Sequence, residues 1–139
     1  MSHKVLFSIG SNTSGSRSRV ASVISWLNKN YGPLKASEIF NTPELSGRFA
    51  DYSNAIVIGQ TGETADVTER RMKATEQNYG RTSQSKIKGV VEMDIDLIAS
   101  GELLLRPKEL DRPYFQYGWN QIGHFWPDFP TSPPDDYKS

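Results

Sequence analysis

The chain has 139 residues, enough for one domain built on one core. Sixteen basic and sixteen acidic residues cancel, so no net field draws it to nucleic acid or to a membrane, and any electrostatic function rests on local segregation of charge. The absence of cysteine excludes a disulfide framework, a thiolate zinc site and a cysteine nucleophile.

The N-terminus, Met-Ser-His-Lys-Val-Leu-Phe-Ser-Ile-Gly, has no apolar stretch long enough for a signal peptide. No run of about 18 apolar residues occurs either, so a soluble, cytoplasmic protein is expected. Val5 to Ile9 is a short apolar run closed by Gly10-Ser11-Asn12, the pattern of a buried strand ending in a turn. Val20, Val23, Ile24 and Leu27 recur at helical spacing, and Gly32-Pro33 stops that helix. Leu34 to Asn41 reads as extended chain broken by Thr42-Pro43, and Glu44 to Ala50 as a loop. Tyr52 to Gln60 is a strand on which Tyr52, Asn54, Ile56 and Ile58 share a face.

Thr64 caps a second helix that runs to Tyr79, with a thin stripe of Thr68, Met72, Thr75 and Tyr79 and with Gly80 as its C-cap. Arg81 to Gly89 is polar, basic and aperiodic, hence a loop. From Val90 to Ile98 the alternation is strict: Glu92, Asp94 and Asp96 fall on one face, Val91, Met93, Ile95 and Leu97 on the other. Gly101, a short extended piece at Leu103 to Leu105, a helical turn at Pro107 to Asp111 and a short aromatic helix after Tyr114 follow. Residues 130–139, rich in proline, are expected to form a frayed tail.

The order β-α-β-β-α-β predicts an α+β, ferredoxin-like sandwich: a four-stranded, mostly antiparallel sheet with helices packed on one face and a short C-terminal appendage. Such a fold hosts many activities and decides nothing about function. The acidic strand is more telling. Three carboxylates about 7 Å apart along one strand face repel each other. A Mg²⁺ ion, held by one or two carboxylates plus substrate phosphates, would relieve that repulsion. A solvated edge strand, where acidic residues block aggregation, is the competing explanation.

Four pieces in this order resemble the 6-hydroxymethyl-7,8-dihydropterin pyrophosphokinase family: Ile9-Gly10-Ser11-Asn12, Thr42-Pro43-x-Leu45, Asp51-Tyr52-x-Asn54-Ala55, and Gly80-Arg81 followed at a distance by Asp94-Ile95-Asp96. The resemblance covers roughly residues 4–115 and implies a single domain of this kind over residues 1–129. It implies transfer of pyrophosphate from ATP to the hydroxymethyl group of the pterin in folate biosynthesis, by a cytoplasmic monomer. Two Mg²⁺ ions would be held with ATP by Asp94 and Asp96, with Arg81 as a further catalytic group. Thr42, Pro43, Leu45, Tyr52 and Asn54 match the pterin pocket, and an amide such as Asn54 suits the donor and acceptor edge of a pterin. Glu76, Arg81, Lys86, Lys88, Arg112 and Tyr114 are the nucleotide-side candidates. Phe115 lies near the family's pterin site, but core packing explains it better.

The departures weaken the nucleotide half. Where the family carries Pro-Arg-Thr-Leu before its acidic pair, this chain has Val90-Val91-Glu92-Met93. The histidine after Pro113 is replaced by Tyr114, and a later arginine falls near Asn120. Lys86, Lys88 and Arg112 offer other cations, but a lysine lacks the bidentate fork of arginine. A non-catalytic pterin-binding relative, or a phosphotransferase with another small acceptor, are the alternatives. His3 and His124 have no carboxylate or cysteine partners at metal spacing.

Overall fold

The computed structural model describes residues 1–80 and 91–130. Its strands and helices follow the sequence order: β1 His3–Ser11, α1 Ser16–Tyr31, β2 Lys35–Ala36, β3 Phe40–Thr42, β4 Tyr52–Thr61, α2 Ala65–Asn78, β5 Asp94–Ser100, β6 Leu103–Leu104 and α3 Pro113–Ile122. Among the described residues the sheet has six strands rather than the expected four. Its order is β2-β4-β1-β5-β6, with β3 also paired to β4, and every pairing is antiparallel.

The extra strands have local causes. The extended chain from Leu34 breaks into β2 and β3 at Ser37, whose backbone N–H donates to the Ile56 carbonyl at 2.9 Å. The Ser37 hydroxyl accepts the Ile56 N–H at 2.9 Å. β4 therefore keeps its backbone satisfied across the gap in its partner. Gly101 takes a positive φ of 59° and turns β5 back on itself, which adds β6.

Two hydrophobic layers cover the sheet. On one face Val5, Phe7, Ile9, Ala55, Val57, Ile95 and Leu97 pack against Val20, Val23 and Leu27 of α1 and Met72 of α2. Thr64 caps α2 as the sequence predicts, its hydroxyl accepting the Val67 N–H at 3.3 Å. On the other face Leu6, Ile56, Ile58 and Ile98 pack against Phe115, Ile122 and Trp126. The helices therefore do not all lie on one face: α3, built from the aromatic stretch, seals the second. It can approach because residue 118 is glycine, where a Cβ would stand 2.5 Å from Ile56 Cγ1.

The acidic strand is shorter than its alternation predicts. β5 begins at Asp94, because the Val91 backbone bonds to Asn12 instead of entering the ladder: its N–H donates to Asn12 Oδ1 at 2.6 Å and its carbonyl accepts the Asn12 N–H at 3.0 Å. Glu92 is thus outside the strand. At the far end, Leu6 opposes Ala99 while Phe7 opposes Leu97, so Ile98 is an extra residue. This bulge turns both Ile98 and Ala99 towards the α3 layer.

At the sheet end away from the acidic pair, Tyr31 donates to Glu63 at 2.7 Å and Arg71 bridges Glu63 at 2.6 Å. The Arg71 guanidinium also lies 5.1 Å from the Tyr31 ring and 5.6 Å from that of Trp26. No described helix is long and apolar enough to cross a membrane.

Candidate active site

Strand parity fixes which side chains can meet. Ile95 and Leu97 point to the α1 and α2 layer, so Asp94 and Asp96 project from the face that α3 covers. Leu6 and Ile56 belong to that second face, which places Ser8, Gly10 and Asn54 there as well. Pairing then aligns them in rows. Asn54, Gly10 and Asp94 stand side by side on β4, β1 and β5, and Ile56, Ser8 and Asp96 form the next row. Two strand spacings, about 10 Å, separate Asn54 from Asp94. Gly10 keeps the floor between them bare, since a Cβ there would come within 3.1 Å of Asn54 Oδ1.

Asn54 is buried, and its amide donates to Thr42 Oγ1 at 2.7 Å. That bond orients the amide and leaves its second N–H and its carbonyl for another partner. Thr42 in turn lines a cavity of about 570 Å³ with Phe40, Pro113, Tyr114, Tyr117 and Arg17. Tyr52 is half-buried opposite Thr42. Pro43 is exposed and Leu45 is 97% exposed, so the loop residues expected near this pocket stand away from it.

The acidic pair is partly enclosed. Burial, then the neighbouring Asp94 charge, pushes the Asp96 carboxyl up to about 7, while Arg106 pulls in the opposite direction. The two carboxyl groups also share a hydrogen bond, and Glu109 adds further negative charge. Arg106 Nε lies 3.9 Å from Asp96 Oδ1. Among the described residues no cluster of three or more His, Cys, Asp or Glu forms a metal cage. Two hard oxygen donors on one face suit Mg²⁺, which keeps its other positions for water and substrate phosphates. These residues fit that ion.

Three of the nucleotide-side candidates, Glu76, Arg112 and Tyr114, are among the described residues. Arg81, Lys86 and Lys88 lie outside the described residues. Glu76 belongs to the opposite face, where its carboxylate accepts the Ile95 N–H at 2.7 Å. Tyr114 reaches the acidic row: it is hydrogen-bonded to Ser8, which pairs with Asp96, and it donates to Glu109. Burial and Glu109 push its phenol above the usual range. Arg112 is more than half exposed, with Nε 3.1 Å from the same Glu109 carboxylate. Phe115 is in the core, as core packing predicted.

Three residues carry more than the sequence reading assigned to them. Ser11 donates to the Glu92 carbonyl at 2.7 Å, and Asn12 donates to the Ala50 carbonyl at 3.5 Å. With the Val91 bonds, they tie the end of β1 to both flanking loops. The third is Arg106. Its signal was weak, because it lies beyond β6 and carries no motif. None of the curated proteins compared with the chain matches it. The family model for 7,8-dihydro-6-hydroxymethylpterin-pyrophosphokinase matches residues 6–124, a span that contains every one of the rows described above, and the chain belongs to this family.

Proposed function

We propose that this protein transfers the diphosphoryl group of ATP to the hydroxymethyl group of 6-hydroxymethyl-7,8-dihydropterin. The observation that carries the reading is the cross-sheet row Asn54–Gly10–Asp94, with a ring-reading amide at one end and a metal-compatible carboxylate at the other. A flat bicyclic ring whose edge pairs with Asn54 would direct its one-carbon arm across Gly10 towards Asp94. Thr42 orients the amide, and Tyr52 stands beside it. The pterin oxygen attacks the β-phosphorus, a C–O–P bond forms, the bridging oxygen departs with AMP, and the hydroxyl proton leaves to solvent. When bound at Asp94 and Asp96, Mg²⁺ supplies charge neutralisation and alignment of the phosphates. Asp94 and Asp96 serve by holding that ion, while Arg81, Lys86, Lys88 and Arg112 are the candidate phosphate cations. Strand order β2-β4-β1-β5, with α1 and α2 on one face, supports a ferredoxin-like frame to which β3, β6 and α3 are additions.

A second reading, pterin binding without transfer, is favoured by one observation: Glu109 engages both Tyr114 and Arg112, two candidates for the phosphate side. Losing a preorganised contact to transition-state charge typically costs ~10²–10³ in rate. Calorimetry with the pterin alcohol, and separately with a non-hydrolysable ATP analogue plus Mg²⁺, discriminates between the two. Transfer requires both to bind and the diphosphorylated pterin to accumulate with ATP. Asn54→Ala should weaken pterin binding by ~1–3 kcal/mol. An unchanged pterin affinity would remove Asn54 from the pocket.

A further inference from the structure

β6 pairs with Ala99 and Ser100, and among the described residues no strand lies beside the outer edge of β5 from Asp94 to Leu97. Two side chains occupy that edge. Glu76 accepts the Ile95 N–H, and Arg106 donates from Nη1 to the Leu97 carbonyl at 2.5 Å. The Arg106 guanidinium is held from a second side by Glu69 of α2, at 2.5 Å from Nη1 and 3.3 Å from Nη2. With its position fixed by these contacts, its Nε faces Asp96 Oδ1 at 3.9 Å. Glu69 and Asp96 lie on opposite faces of the sheet, so Arg106 wraps the edge and joins them.

Resting on the reading of Asp94 and Asp96 as the metal-holding pair, we propose that Arg106 is a positioning residue for that pair. A strut between α2 and the sheet would need only Glu69 and the Leu97 carbonyl. Turning Nε towards Asp96 gives the carboxylate a fixed cation on the side away from the cavity. That directs its oxygens to the ligand face and offsets the repulsion from Asp94 and Glu109. Arginine suits the task because its planar fork satisfies three partners at once, which a lysine ammonium does at a single point.

The test uses the full chain with Arg106→Gln, Arg106→Lys and Asp96→Ala. Calorimetry measures Mn²⁺-dependent binding of a non-hydrolysable ATP analogue and, separately, binding of the pterin alcohol, and thermal unfolding is recorded in a chelator. Arg106→Gln should weaken metal–nucleotide binding at least tenfold and shift the pterin affinity less than twofold. Arg106→Lys should recover part of the loss, and it replaces Arg106→Gln should that variant fail to fold. A fall in unfolding temperature with both affinities reduced equally, or with neither changed, would leave Arg106 a structural strut and overturn the proposal. If Asp96→Ala itself binds the metal–nucleotide like the parent, the metal-site reading fails first and the Arg106 proposal falls with it. Loss in Asp96→Ala but not in the Arg106 variants rejects the Arg106 proposal alone.

Discussion

Asp96 should make this protein less stable as pH rises through the neutral range, the reverse of the usual carboxylate effect. Its folded-state pKa stands at about 7 against an ordinary 3.8, raised first by burial and then by Asp94. Between those values the native protein holds a proton that the unfolded chain has released. Unfolding then releases protons, so stability is fully present below about pH 4, declines towards pH 7 and levels off above it. About three units at ~1.4 kcal/mol each set a ceiling of ~4 kcal/mol. The realised figure is smaller, because the two carboxyl groups titrate as a pair.

Asp96→Asn mimics the protonated form and should remove this slope. Urea unfolding of both proteins from pH 4.5 to 8, with a chelator present, measures the difference. The variant should match the parent near the acid end and exceed it by a few kcal/mol at pH 8. A constant offset at every pH would refute the reasoning, because it would show that Asp96 carries no differential proton. Glu63 does not mimic the effect, since its carboxyl is shifted downward by Tyr31 and Arg71 against its own burial, and its slope runs the other way below its ordinary range. The same proton must leave before a cation binds, so apparent Mg²⁺ affinity should fall up to about tenfold per unit below pH 7.

Arg71→Ala removes both the Glu63 bridge and the cover over Tyr31 and Trp26, and should cost about 1–2 kcal/mol in chemical unfolding; an unchanged midpoint would show the cluster to be ornamental. Gly118→Ala drives a methyl into Ile56 and should cost about 1–3 kcal/mol, read as a lower unfolding temperature, with no loss meaning that α3 can shift freely. Val91→Arg should be tolerated to within about 0.5 kcal/mol, because Val91 is only half-buried and lies outside the strand. A loss of several kcal/mol on denaturation would instead mean that this side chain packs as in a regular strand.

Which candidate residues share a face is legible because parity is a property of sequence. Once Ile95 and Leu97 are assigned to a core, Asp94 and Asp96 must share the other face, and the same argument groups Asn54 with Ile56 and Ile58. Parity says nothing about register. That Asn54, Gly10 and Asp94 stand in one row depends on pairing across three strands, and on a bulge at Ile98 that no alternation reveals. The start of β5 escapes the alternation for a related reason. Val91, Glu92 and Met93 continue the alternating pattern, yet Asn12 captures the Val91 backbone and ends the ladder at Asp94. The aromatic stretch predicts a short helix but not the face it covers, because α3 is admitted to the second face by Gly118, a close approach invisible in hydropathy.

The charges around the acidic pair follow from the same shortness of β6. A longer β6 would have paired the whole outer edge of β5, leaving the Ile95 N–H and the Leu97 carbonyl no need of side-chain partners. Ending β6 at Leu104 leaves those groups open at the level of the two aspartates. A donor and an acceptor must then be supplied there, and Arg106 and Glu76 supply them. The donor chosen is a cation, so the device that closes the sheet edge also places positive charge beside Asp96. A neutral donor to the same carbonyl would close the edge but leave Asp96 facing Asp94 and Glu109 without that cation. Edge repair and the electrostatics of the acidic pair are therefore one structural problem with one side chain in common.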